Sequence, residues 1–122
     1  MDKKQAWLQL VREKSEHYLN LHDGGFDEKM QARLVDCDYE AQAVTYAFPT
    51  QTWQINEKGG IHGGAIAGMF DTAFGVVANF TAGDNEATTT DMTVSFLRGV
   101  DLGMELHLKV FIVKAGRSLI RQ

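Results

Sequence analysis

The residues with chemical potential crowd into one stretch. Gly59-Gly60-Ile61-His62-Gly63-Gly64 leads straight into an apolar run, IHGGAIAGMFDTAFGVVANF, at residues 61–80. Backbone N–H groups at a helix start lack an intrahelical acceptor and carry partial positive charge. Glycine there lets a ligand approach the backbone closely. Such a start is suited to stabilising an oxyanion developing on a carbonyl oxygen. It is not a P-loop, because no Lys-Ser/Thr follows, nor is it a Gly-x-Gly-x-x-Gly fingerprint. A tight strand-to-helix turn would account for the glycines equally well.

Asp71 is the second feature. With histidine counted as neutral, it is the only charged side chain among residues 59–83. On a buried helix an unpaired carboxylate is costly, so it needs a local hydroxyl such as Thr72, a solvated gap, or a chemical task. His62 and Asp71 stand nine residues apart. Nine helical residues turn about 900° and rise roughly 13.5 Å, so the two face opposite sides and cannot meet on one helix. If they share a reaction, Asp71 must meet His62 of a second copy. A two-fold dimer with these helices side by side would provide two equivalent sites. Asn56, six residues before His62, offers a neutral amide for a carbonyl or serves as a loop residue. His17, His22 and His107 have no partner at metal-ligand spacing, so no metal site is expected. Cys37, with no histidine near it in sequence, reads as a small core residue.

The elements that must position these residues follow from periodicity. Trp7, Leu10, Val11, Tyr18 and Leu21 recur at helical spacing, predicting an amphipathic helix over 3–21 ended by Gly24-Gly25. Residues 30–48 alternate as extended chain, with Pro49 closing the run. The alternation changes phase at Val35 and again before Val44, and each change predicts a bulge or turn. Residues 61–80 are apolar nearly all round, predicting a buried helix whose small residues approach a sheet. Thr88–Leu97 and Met104–Val113 alternate as strands, the latter with Met104, Leu106, Leu108, Val110 and Ile112 on one face. Arg117–Gln122 begins a further strand. This order predicts an α+β domain with an antiparallel sheet curled around one long central helix.

The 122 residues fit one domain, and the single cysteine excludes an internal disulfide scaffold. The net charge is −4, which excludes a strongly basic nucleic-acid footprint. Residues 1–97 carry seven basic and fourteen acidic side chains, or −7; residues 98–122 carry five and two, or +3. That basic end suits a phosphorylated ligand, with Arg98, Lys114 and Arg117 as the groups flanking its turns, although solvated strand charge would look the same. Charges scattered through MDKKQAWLQLVREKSE leave no secretory h-region, so a cytoplasmic location is expected.

The run Asn56-Glu-Lys-Gly-Gly-Ile-His62-Gly63-Gly64 with Asp71 on the following helix resembles the hotdog-fold acyl-CoA thioesterases of the PaaI-like, phenylacetate-pathway type. Thr89-Thr90-Asp91-Met92 with Val94-Ser95-Phe96-Leu97 also resembles that family's strand after the helix. The resemblance implies a single hotdog domain over 1–122, with an N-terminal helix at about 1–25 and a hotdog core at 30–122 that lacks the family's last strand or strands. It implies that Asn56 and the Gly63 N–H bind the thioester carbonyl. His62 would sit beside the sulfur and assist thiolate departure. Asp71 of the facing subunit would activate water or attack directly, and Thr89, or Thr90 in its place, would orient it. Gly64, Arg98, Lys114 and Arg117 are assigned to holding CoA, which is carried by the substrate; no separate cofactor is expected. The expected partners are an acyl-CoA and a second copy of the chain, in a homodimer or dimer of dimers, with no nucleic acid or membrane. A non-catalytic acyl-CoA-binding hotdog protein is the alternative. A hotdog hydratase or dehydratase is disfavoured, because the chain lacks the His motif with nearby proline that typifies those enzymes.

Overall fold

The computed structural model describes residues 2–82, 99–112, 114–115 and 120–121. Helix α1 spans Lys3–Leu19. It begins where the Asp2 carboxylate accepts the Gln5 N–H at 2.7 Å, a side-chain cap on an otherwise unpaired donor. It stops earlier than the glycine pair predicts. Asn20 turns both its backbone N–H and its side-chain amide onto the Glu16 carbonyl, which closes the last turn. Gly24 instead makes the bend beyond, at φ +71°, and Gly25 precedes a short helix, α2 (Phe26–Met30), absent from the sequence reading. Asp27 and Glu28 lie in its first turn, where the helix dipole favours carboxylates. Gln31 ends it in the left-handed region at φ 54°.

Strands β1 (Arg33–Asp38) and β2 (Ala43–Pro49) pair antiparallel. The register slips between Leu34 and Asp36, so Val35 is the bulge that its phase change predicts. The second change falls at a turn: residues 39–42 leave the strand, and Gln42 takes φ 51°. Tyr39 and Ala41 therefore belong to the turn and not, as expected, to the alternating strand. Strand β3 (Glu105–Phe111) completes a sheet in the order β1-β2-β3. Strands β4 (Lys114–Ala115) and β5 (Ile120–Arg121) form a separate antiparallel pair. The strand expected over Thr88–Leu97 lies outside the described residues.

Helix α3 spans Gly63–Ala82 and lies against the sheet. Its Met69, Ala73, Val76, Val77 and Phe80 share one core with Val44, Tyr46 and Phe48 of β2 and Leu108 and Val110 of β3. Burying each of the large side chains contributes about 1.5–3 kcal/mol. The opposite face of β2 carries Ala43 and Ala47, also buried. Ala47 lies between Arg33 on β1 and His107 on β3. Arg33 and His107 both reach the Glu105 carboxylate, at 2.8 and 2.9 Å, which ties the two neighbours of Ala47 together. Met104, placed on the buried face by alternation, is 51% exposed, because it precedes β3 in a turn through Gly103 at φ +103°.

Helix α1 closes the same core through Val11, Ser15 and Leu19. The Ser15 and Tyr46 hydroxyls hydrogen-bond at 2.7 Å in the interior, and burial pushes the Tyr46 phenol well above its ordinary pKa. Trp7 stands edge-on to both Phe80 and Tyr39. Cys37 is half-buried against this core, and desolvation raises its thiol pKa, which fits a packing role better than a nucleophilic one. Among the described residues no helix is long and apolar enough to cross a membrane.

Candidate active site at the start of the central helix

The segment before α3 folds back on itself. A one-turn 3-10 helix at Thr52–Gln54 leads into Ile55, which bridges Ile61. Asn56 donates its N–H to the Gly60 carbonyl at 2.7 Å, and His62 donates to Gln54 at 2.7 Å. Gly59 makes the reversal at φ +86°, a conformation that glycine adopts without strain. On the outer side Ile61 donates to the Val100 carbonyl at 2.7 Å, and Gly60 bridges Asp101. The site loop is thus a short middle strand held on both edges. Because side chains alternate along extended chain, Asn56 and His62 project from one side of this ladder.

Each polar group in the loop has a definite state. The Asn56 Oδ1 accepts the Lys58 N–H at 2.9 Å and the Gly60 N–H at 3.2 Å. Its oxygen is occupied, which leaves the amide Nδ2 as the group available to a ligand, and that group is a donor. His62 precedes the helix, and its Nδ1 accepts the Gly64 N–H at 2.9 Å. The Ala65 and Ile66 N–H groups both reach the His62 carbonyl, at 2.9 and 3.2 Å. Three of the first four N–H groups of α3 are therefore taken. The Gly63 N–H alone finds no acceptor among the described residues. An open donor at the positive end of a long helix, with an amide donor on the preceding loop, can receive a carbonyl oxygen on which charge develops.

Asp71 sits in the third turn of α3 and is exposed, as is His62. This corrects the expectation of a buried carboxylate on a helix buried all round. One small residue of α3 has open space beside it: a Cβ on Gly75 would meet nothing within 4 Å. Where α3 is approached closely, the neighbour is α2 and not the sheet. A Cβ on Gly68 would lie 2.4 Å from the Phe26 ring. Thr72, suggested above as a local partner for Asp71, donates its hydroxyl to Asp27 of α2 at 2.8 Å instead. The structure brings Asn56, His62 and Gly63 together on one loop. It leaves Asp71 farther along the helix, beyond their reach within one copy. Gly64 lies at the loop, but its N–H serves His62. Lys114 opens β4 paired with Arg121. Thr89, Thr90, Arg98 and Arg117 lie outside the described residues. Sequence reasoning missed Gln54, buried beneath the loop and accepting the His62 N–H, because no pattern distinguishes it from an exposed glutamine.

An antiparallel sheet folded against one long central helix, with a further helix at the N-terminal end, is the hotdog architecture. The chain belongs to the Thioesterase superfamily, whose family model matches residues 58–121. A candidate esterase from Caenorhabditis elegans is 29% identical over 69 residues, which is 57% of this chain and 41% of that protein. The match thus spans less than half the length of that relative. Among solved structures, a candidate thioesterase from Ralstonia eutropha, a phenylacetic acid degradation-related protein, superposes with a TM-score of 0.75 at 19% identity, covering 88% of this chain and 82% of that one. A Streptococcus mutans protein bound to acetyl-CoA superposes with a TM-score of 0.65 at 23% identity, covering 80% and 74%. These structural likenesses show the fold.

Proposed function

We propose that this chain hydrolyses acyl- or aryl-acyl-CoA thioesters to the free acid and CoA. The Gly63 N–H and the Asn56 Nδ2 receive the thioester oxygen, whose negative charge grows as water adds to the carbonyl carbon. Asp71, contributed by a second copy of the chain across a two-fold dimer, takes the proton from that water or attacks directly. Collapse of the adduct breaks the carbon–sulfur bond, and His62 stands beside the departing sulfur. Thr89 orients Asp71 or the water, and Arg98, Lys114 and Arg117 hold the phosphates of CoA. CoA enters as part of the substrate, and no separate cofactor takes part.

The observation that carries this reading is the Gly63 N–H, the one N–H of the first four in α3 without an acceptor among the described residues. Membership of the Thioesterase superfamily and the acetyl-CoA found on one structural neighbour support it. The test is thiol release from a panel of phenylacetyl-, benzoyl- and straight-chain acyl-CoAs. Release well above the spontaneous rate from at least one is expected; background release from all of them overturns the reading. The composite site has its own check. Size-exclusion chromatography should show dimers or larger at micromolar concentration, and monomers alone would rule out an Asp71 supplied in trans.

A further inference from the structure

The histidine of the site is also the cap of the helix that follows it. The His62 Nδ1 accepts the Gly64 N–H at 2.9 Å, so it presents a lone pair there and carries no hydrogen. In a neutral imidazole the hydrogen then resides on Nε2, because the hydrogen bond made by one ring nitrogen sets the state of the other. The two nitrogens lie on different edges of the ring. With Nδ1 turned onto the helix start, Nε2 faces away from it. The residue as a whole is exposed. The lack of a side chain at Gly64 permits the arrangement. A Cβ on Gly64 would lie 3.1 Å from Nδ1 and 3.3 Å from Cε1, tighter than ordinary contact.

We infer that the Gly64 N–H holds His62 as its neutral Nε2–H tautomer, which makes His62 a hydrogen-bond donor to the thioester and not its base, with Gly64 as the positioning residue. The tautomer follows from the loop geometry alone; its catalytic meaning rests on the thioesterase reading above. A ring whose Nε2 already bears a hydrogen cannot accept a proton from water on that edge. Protonation at Nδ1 would break the contact with the Gly64 N–H. Water activation must then come from another group, the task that the proposed function gives to Asp71. The same geometry reassigns Gly64. Its N–H is occupied by His62, so the residue acts on the ring and not on CoA.

Three measurements test this on the intact protein. Nitrogen NMR of the His62 ring, at a pH where it is neutral, should show Nε2 protonated and Nδ1 as an acceptor. An Nδ1–H ring overturns the inference, whether or not the protein hydrolyses any thioester. Gly64→Ala should disturb that ring signal and lower kcat by roughly tenfold to a hundredfold, the scale expected for a misplaced group, with KM nearly unchanged. A rise in KM at constant kcat would return Gly64 to CoA binding. The third measurement separates cap from chemistry. His62→Asn keeps a side-chain acceptor for the helix start, since asparagine is a favoured cap, but removes the imidazole. It should melt no lower than the parent and lose activity, whereas His62→Ala should melt lower and lose activity. Equal melting of the two variants would show that Nδ1 does not cap the helix. A His62→Asn variant with parental activity would show that no Nε2–H donor is needed.

Discussion

The two halves of α3 are built for different ends. From Ala73 onward one face of the helix is clasped: Ala73, Val76, Val77 and Phe80 are buried, and α1 packs on this core with Val11 and with Trp7, whose ring is T-shaped to Phe80. Before that point the helix is only partly covered. His62, Gly64 and Asp71 are exposed, and contact comes from α2 through Phe26 at Gly68 and Asp27 at Thr72. The buried half gains stability from apolar area. The open half keeps Gly64 at the surface and the Gly63 N–H without an acceptor among the described residues, features that add little stability but leave room for a ligand. The lesson is that stability and chemistry should separate along one helix.

The largest expected effect lies in the clasped half. Phe80→Ala removes a ring that is 2% exposed and should cost about 3–5 kcal/mol in denaturant unfolding. The surviving folded fraction should keep its specific activity, and loss of specific activity in step with stability would break the distinction between halves. Asp71→Asn is the converse. Its kcat should fall by ~10²–10⁴-fold, the contribution of a positioned base, while its urea midpoint stays near that of the parent, because the side chain is exposed and its shape is kept. A near-parental rate would make Asp71 a structural residue.

A smaller effect sharpens the role of α1. Ser15→Ala deletes the partner of the buried Tyr46 hydroxyl and should cost about 1–3 kcal/mol, with activity unchanged, since both residues lie away from the site loop. The smallest effect concerns charge. Replacing Arg98, Lys114 and Arg117 together by glutamine should raise KM for acyl-CoA more than it lowers kcat, the pattern of lost uniform binding. An unchanged KM would leave the basic end of the chain as ordinary surface.

Local rules made much of this legible. The bulge at Val35, the stop at Pro49, the long helix after His62 and the inward face of Leu108 and Val110 follow from period, proline and glycine, which act within a few residues. The candidate site was legible as a set of residue types, and the spacing of His62 and Asp71 already excluded their meeting in one copy. The clash between that spacing and the idea of a uniformly buried helix was also visible, yet only the fold resolved it, by leaving Asp71 exposed.

The amino-acid order by itself determined the helices α1 and α3, the strands β1, β2 and β3, the inward face of Leu108 and Val110, and the loop on which Asn56, His62 and Gly63 stand. Tertiary structure decided what each group is free to do. The Asn56 oxygen is spent on its own loop, the His62 Nδ1 on the Gly64 N–H and the Thr72 hydroxyl on Asp27, while the Gly63 N–H has no acceptor among the described residues. Ser15 became a core residue because Tyr46 arrived opposite it from another part of the chain. The physical reason is that a hydrogen-bonding group's chemistry depends on which partner occupies it. Partners brought together by folding leave no mark in local periodicity.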